Sequence, residues 1–225
     1  ISRQDDWDAS TDVGRREIQP DFPQADVDVL NDSVRMYLRE IGAVDLLNAN
    51  QERILARAIE LGDGLTALDT EDDERKNKKA HEIAAATLEI LARLNEVANA
   101  IARFVGAPTP LTLSIITSDP DLRDLIDGIH NEELINYLSD TLTIEPDEAK
   151  AKVAELSTIT ALMPQGIEVL WDIDPRLDDM ADVLEDHPAV DALKSHSSYL
   201  ARFYRHIEDE EYKSRLHLGE ANLRL

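Results

Sequence analysis

The residues best suited to chemistry in this chain are carboxylates, and one group of them is closely spaced. Asp172, Asp174, Asp178 and Asp179 could bind a hard cation, but they lack the ligand order and the glycine of an EF-hand loop. A helix N-terminus rich in carboxylates explains the same residues, because acidic side chains stabilise the first turn of a helix. The group therefore predicts a helix start rather than a metal site.

Histidine and cysteine offer no stronger signal. The chain has no cysteine, which excludes disulfides and thiolate metal sites. Its histidines have no zinc-like spacing, and no glycine-rich phosphate loop is present; they are His81, His130, His187, His196, His206 and His217. We expect no metal, no cofactor and no enzymatic activity.

The elements that carry these residues are helical by composition. Hydrophobic residues make up 43% of the 225 residues and charged residues 31%, while glycine occurs only 8 times. Ala, Leu, Ile, Glu and Asp dominate, and no strand-like alternation is bounded by turn residues. No apolar run approaches the roughly 20 residues of a membrane span, so we expect no membrane partner. The composition predicts an all-α, irregular multi-helix bundle with no sheet.

Charge is distributed unevenly along the chain. The net charge is −24, which repels phosphate and argues against general nucleic-acid binding. Residues 31–64 carry 4 basic and 6 acidic groups, whereas residues 65–205 carry 13 and 28. Any contact with DNA is therefore expected in residues 31–64, beside a basic partner.

The first 30 residues show neither helical nor strand periodicity. Their aspartates and two prolines predict an acidic flexible linker over residues 1–30. The chain begins at Ile1 rather than Met and ends inside an apolar pattern at Leu225. We expect it to be part of a longer protein.

A first helix is predicted to begin after Asn31, a good N-cap residue. Val34, Leu38 and Ile41 follow on one face, and Gly42 is expected to end the helix. This helix and the next one are expected to form a helical hairpin or corner.

A second helix is predicted to open at Asn48, where Gln51 completes a capping-box pattern. Gly62 and Gly64 are expected to stop this helix, because glycine is unfavourable inside helices.

A long helix is predicted next, after the charged run 71–79, which we interpret as a solvated helix start. A heptad-like seam, which Gly106 ends, favours a packed bundle helix; it consists of Ile83, Thr87, Ile90, Leu94, Val97, Ile101 and Phe104. Prolines predict the later helix starts, at Asp119-Pro120, Pro146, Asp174-Pro175 and His187-Pro188.

Residues 32–42 read D-S-V-R-M-Y-L-R-E-I-G, and residues 59–63 read I-E-L-G-D. This stretch resembles region 1.2 of the primary sigma factors of bacterial RNA polymerase. The family pattern is close to D-P-V-R-x-Y-L-R-E-I-G, followed by a leucine pair and a capped helix that ends in I-E-x-G-D. Ser33 replaces the usual proline and Asn48 the usual threonine cap, and both residues cap helices well.

A second resemblance lies at the end of the chain. Residues 219–225, G-E-A-N-L-R-L, resemble the opening of region 2.1, with Gly219 where the family has an aliphatic residue. The resemblance implies region 1.2 at 31–64, a helical acidic non-conserved-region insert at 65–205, and the start of region 2.1 at 206–225. We expect residues 31–64 to pack against the insert and the final helix, because Leu216, Leu223 and Leu225 need a partner.

The resemblance implies a transcription initiation factor that works with bacterial core RNA polymerase in the cytoplasm. Region 1.2 of the family lies near the discriminator and the non-template strand of promoter DNA, and only in the holoenzyme. Carried across by position, the DNA-binding candidates are Arg35, Tyr37, Leu38 and Arg39. The insert is expected to contact the clamp of the largest polymerase subunit.

Two alternatives remain open. Arg35 and Arg39 could be solvated helix charges, with Leu38 in the core, so that these residues act only by packing. The whole chain could also be a free-standing acidic helical interaction domain with coincidental motifs. The sequence downstream of residue 225 would discriminate the second alternative, because a sigma factor continues through an aromatic-rich region 2.

Overall fold

The computed structural model of the chain describes residues 34–36, 47–70, 79–128, 131–164 and 174–222. The chain divides into two units, and the larger one comprises Leu46–Leu223 and Leu225. In the smaller unit the described residues are 34–36, which are helical. The helices labelled α1 to α10 all belong to the larger unit.

The larger unit is helical, as the composition predicts. A short 3-10 helix, Leu177–Asp179, precedes α8, and Thr112 and Arg176 form an isolated antiparallel bridge. The described residues contain no strand, which confirms the all-α fold without a sheet. The helices are α1 (Ala49–Thr70), α2 (Ala80–Arg93), α3 (Asn95–Val105), α4 (Leu113–Ser118), α5 (Pro120–Asp127), α6 (Glu132–Leu142), α7 (Pro146–Ala161), α8 (Met180–Glu185), α9 (His187–Ser195) and α10 (Ser197–Asn222).

The predicted seam forms the centre of the core. Its members from Ile83 to Ile101 are buried, and Phe104 is half-buried against Tyr137 of α6, with ring centroids 5.2 Å apart. The polar member, Thr87, is buried but satisfied, because its hydroxyl donates to the Ile83 carbonyl at 2.9 Å.

The seam is nevertheless divided between two helices, so the prediction of one long helix is wrong at Leu94. The Leu94 amide donates to the carbonyls of both Ile90 and Leu91, at 3.0 and 3.1 Å. Such a shared bond tightens the last turn of α2 before α3 begins at Asn95. Leu94 stays buried, so the seam continues through the break.

Two of the predicted helix boundaries are confirmed. The Asp119 carboxylate accepts a hydrogen bond from the Leu122 amide at 3.0 Å, and Pro120 is the first residue of α5. Gly106 follows α3 in the left-handed conformation with φ 74°, which favours glycine over residues with a side chain.

Asp174 does not start its own helix, in contrast to the prediction. Its carboxylate accepts hydrogen bonds from the Ser114 amide, at 2.8 Å, and from the Ser114 hydroxyl, and so caps α4. The backbones run side by side here, because Leu113 donates to Pro175 and Leu177 to Leu111, both at 3.0 Å. The carboxylate is therefore held by a segment 60 positions away in sequence.

Gly62 and Gly64 do not stop α1, which continues to Thr70. A Cβ atom at Gly62 would collide with the Glu211 side chain of α10, and one at Gly64 would lie 2.7 Å from the Thr158 Cγ2 atom of α7. The prediction is wrong because these glycines allow two neighbouring helices to approach α1 closely.

An exposed ion-pair group flanks the contact between α1 and α10, which is the most extensive helix–helix contact among the described residues. Arg215 of α10 pairs with Asp63 of α1 and donates from Nε to Glu211 Oε1 at 2.7 Å. The hydrogen bond to Glu211 raises the pKa of Arg215, an effect that desolvation opposes and the Asp63 charge reinforces. The pairing joins residues 152 positions apart.

The other end of α10 is anchored on α2. Tyr204 is buried, and this burial raises the pKa of its phenol. His81 Nδ1 of α2 lies 3.5 Å from the Ser197 hydroxyl of α10. Helix α10 therefore packs on both α1 and α2, two elements far from it in sequence.

We expect Asp174→Ala to destabilise the protein at neutral pH by about 1 kcal/mol, because α4 loses its cap. Partial burial raises the pKa of Asp174, but hydrogen bonds from Ser114 and Thr112 outweigh it and bring the pKa below 3.8. A carboxyl whose pKa is lowered by folding stabilises the protein above the unfolded value, and this stabilisation is lost as pH falls through the folded value.

Urea unfolding of the wild type and Asp174→Ala across this acid range measures the effect. The difference in free energy of unfolding should shrink as pH falls below 3.8. Asp140→Ala, an exposed position on α6, serves as the control and should change little. A difference that grows in acid would contradict the capping role.

Gly62→Ala should destabilise the protein by about 1–2 kcal/mol, because overpacking against Glu211 exceeds the gain in helix propensity. Gly219→Ala is the matched control, since Gly219 also lies inside a helix but a Cβ atom there meets nothing within 4 Å. The control should be stabilising by up to about 1 kcal/mol. Denaturation midpoints compare the two variants, and equal stabilisation by both would refute close packing at Gly62.

Candidate functional site

Arg35 is the one predicted DNA-binding residue that falls within the described residues. It lies in the helical residues 34–36, and its side chain is exposed. Its neighbours Val34 and Met36 are also exposed, at 53% and 63%. Tyr37, Leu38 and Arg39 lie outside the described residues, as do Ile41 and Gly42. Arg35 is therefore accessible, as a contact with DNA requires. The assignment of all four residues to DNA binding remains a prediction.

The start of α1 follows the predicted capping box. Asn48 Oδ1 accepts hydrogen bonds from the amides of Asn50 and Gln51, at 3.1 and 2.9 Å. Gln51 Oε1 in turn accepts from the Asn48 amide at 2.9 Å. The reciprocal bonds satisfy amides that have no partner within the helix. The asparagine found at the usual threonine position thus performs the same structural role.

Arg57 of α1 makes the contact with α7 that the sequence did not suggest. Its Nη2 donates to the Ser157 carbonyl at 3.0 Å and to the Ser157 hydroxyl at 2.8 Å. The same nitrogen lies 3.6 Å from Asp127 Oδ1 of α5, and Nη1 lies 3.4 Å from Glu60 Oε2. No local pattern marks Arg57, because two of these partners lie 100 and 70 positions further along the chain.

The remaining face of α1 is open to solvent. Gln51, Glu52, Arg53 and Ala56 are exposed, and so is Ile54, at 61%. Leu55, Ala58 and Ile59 are partly buried, as expected for an amphipathic helix. The first two turns of α1 therefore present polar groups and one isoleucine.

The C-terminal half of α10 also exposes apolar side chains. Tyr212 is 71% exposed and Leu216 is 53% exposed. The expectation that Leu216 would be covered within the chain is wrong, because it lies on the side of α10 opposite the buried Ile207 and Ser214. Leu223 and Leu225, for which the same was expected, lie outside the described side chains.

The carboxylates considered as cation ligands have structural partners. Asp174 caps α4, and Asp178 accepts from Asn99 Nδ2 at 3.0 Å and pairs with Arg176. Asp172 lies outside the described residues. In the described ranges, no group of three or more His, Asp or Glu residues could hold a metal ion. The same ranges contain no helix that is long and apolar enough to cross a membrane.

Comparison with known proteins gives a local match at residues 32–65, to the family model described as sigma-70 factor, region 1.2. Two curated relatives are RNA polymerase sigma factor SigA of Listeria monocytogenes and of Listeria innocua. Each is 65% identical over 34 residues, which are 15% of this chain and 9% of the relative. The chain thus matches less than a tenth of the length of these relatives. No solved structure matches it.

The matched residues 32–65 include Arg35, the capping box of α1 and the Arg57 contact. The identity is high but confined to a short segment, 65% over 34 residues. The family model matches the same part of the chain in which the motif resembles region 1.2. These findings show that residues 32–65 are similar to region 1.2 of the sigma-70 factors, and that this segment is shared with two primary sigma factors.

Proposed function

We propose that this chain is a part of a primary sigma factor that binds bacterial core RNA polymerase and helps to recognise and open promoters. The observation that carries the proposal is the match of residues 32–65 to sigma-70 region 1.2. The two relatives are both named RNA polymerase sigma factor, and they share 65% identity with this segment. Such a factor would act in the cytoplasm.

Residues 31–64 are proposed to lie near the discriminator and to contact the non-template strand. The exposed guanidinium of Arg35 can donate to phosphate or to base edges, and Arg39, four positions on in the sequence, would supply a second such group. Tyr37 and Leu38 offer apolar surface against an unstacked base. The net charge of −24 restricts this contact to the holoenzyme, where the polymerase supplies the positive surroundings.

The insert, residues 65–205, is proposed to dock on the clamp of the largest polymerase subunit. In α5, α6 and α7 every basic residue is already paired: Arg123 with Asp127, Lys150 with Asp147, and Lys152 with Glu148. Exposed carboxylates remain on these helices, namely Asp121, Asp124, Glu132, Glu133, Asp140 and Glu155. A surface with this surplus favours a basic protein partner and disfavours stray DNA contact.

Replacement of Arg35 in the complete sigma chain tests the DNA contact. Arg35→Ala should shorten the lifetime of the open complex by roughly tenfold, as expected when about 1.4 kcal/mol of contact energy is lost. The effect should depend on the discriminator sequence. Lifetimes are measured with reconstituted holoenzyme on promoters that differ only in the discriminator.

Arg53→Ala provides the matched control, because Arg53 is another exposed arginine of the same segment. It should leave the lifetime within twofold of the wild type. Equal behaviour of Arg35→Ala and Arg53→Ala on all discriminators would contradict the direct contact. Failure of the complete chain to bind core polymerase would favour the free-standing acidic interaction domain instead.

A further inference from the structure

One polar cluster joins three helices of the larger unit. Arg57 of α1 donates to Ser157 of α7, and the Ser157 hydroxyl donates to Asp127 Oδ1 of α5 at 2.6 Å. From the other side, Arg123 Nε donates to Asp127 Oδ2 at 2.9 Å, and its Nη1 donates to the Thr160 hydroxyl at 2.7 Å. Two guanidinium groups therefore share one carboxylate at the junction of α1, α5 and α7.

The cluster is partly buried, so its hydrogen bonds contribute more to stability than those of an exposed ion pair. Ser157 and Thr160 are each only 5% exposed, and the side chains of Arg57 and Arg123 are 32% and 19% exposed. Loss of one partner would leave a buried hydroxyl or a half-buried charge without its hydrogen bond, which costs more than the loss of an exposed ion pair. The cluster therefore specifies one position of α1 against α7.

A second contact on the same side of α1 reinforces this position. Gly64 lies two helical turns beyond Arg57, and a Cβ atom there would lie 2.7 Å from Thr158 Cγ2 of α7 and 3.4 Å from Cδ1 of Leu162, which follows α7. The polar contact at Arg57 fixes the rotation of α1, and the close approach at Gly64 fixes the distance between the helices. Together they attach the second helix of region 1.2 to the predicted insert.

We propose that Arg57 is a positioning residue, which with Ser157 and Asp127 forms a latch that lets the insert hold the α1 helix of region 1.2 in place during promoter opening. This inference rests on the proposed function of the chain as part of a sigma factor. The latch connects the insert to region 1.2 within one protein chain. It touches neither DNA nor polymerase, and acts through the position of α1.

The first test measures amide hydrogen exchange in this chain. Arg57→Ala and Ser157→Ala should each increase exchange in α1 between residues 49 and 60 by at least about threefold, because a local contact that resists opening is lost. The controls are Arg53→Ala and Ser198→Ala, which change exposed residues of the same types. Ser157→Ala removes only one hydroxyl and keeps the packing of α7. Exchange in both latch variants equal to that of the controls would overturn the latch.

The second test uses holoenzyme reconstituted with the complete sigma chain. Arg57→Ala should shorten the open-complex lifetime by roughly threefold to tenfold while the affinity for core polymerase stays within twofold. Arg57→Lys should restore part of the lifetime, because lysine keeps the charge and one donor. Ser157→Ala combined with Arg57→Ala should cost little more than Arg57→Ala alone, because the two residues form one unit.

The outcomes separate the latch from the proposed function. If the wild-type holoenzyme opens promoters and Arg57→Ala matches Arg53→Ala in lifetime, the latch is wrong and the sigma function stands. Full additivity of the Arg57 and Ser157 changes would also overturn the latch. If the wild-type holoenzyme opens no promoter, the proposed function fails, and the role of the latch in promoter opening fails with it.

Discussion

Gly62 of α1 lies against the side chain of Glu211 in α10, and beside it Arg215 reaches back to Asp63. These residues come from the two ends of the described unit, 152 positions apart at the ion pair. The absence of a side chain at Gly62 permits the close approach, and the apolar residues Leu65, Leu68, Leu200 and Ile207 are buried on the same two helices. The ion pair itself is exposed and contributes little, so packing is the constraint that holds the ends together.

This pairing brings two helices together that a long helical segment separates in sequence. Helices α1 and α10 also contribute to the core around the Ile83–Ile101 seam, which they share with the helices between them in sequence. The cluster of Arg57, Ser157 and Asp127 then ties the side of that core to α1. If the proposed function holds, the predicted insert supports the segment that resembles region 1.2 through this cluster.

Features with a local cause could be predicted from the sequence. The Asn48 capping box, the Asp119 cap and the Gly106 helix end each depend on residues within a few positions, and all three were confirmed. Two of the errors arose where a segment distant in sequence determines the local structure. Gly62 was taken for a stop because its partner lies 149 positions away, and Asp174 for a helix start because the helix that it caps precedes it by 60 positions.

In the candidate site, too, the sequence predicted the local feature and missed the one that depends on distant residues. The region 1.2 motif pointed to Arg35, which is exposed as a DNA contact requires, whereas Arg57 carries no motif and emerges only from its contacts with α5 and α7. Leu216 has a clear apolar pattern, yet it is exposed, because periodicity shows which residues share a face but not what covers that face. The single sequence thus located the segment that matches the sigma-70 region 1.2 model, but not the residues of other helices that contact it.

Disulfide trapping between α1 and α10 tests the central claim most directly, since the chain has no cysteine of its own. Gly62→Cys combined with Glu211→Cys should form an intramolecular disulfide readily under mild oxidation of the folded protein, and much more slowly in urea. Gly219→Cys combined with Glu211→Cys is the control, and should not cross-link in the folded state because the two positions are two helical turns apart. Equal rates for the first pair in folded and unfolded protein would contradict the pairing of α1 with α10.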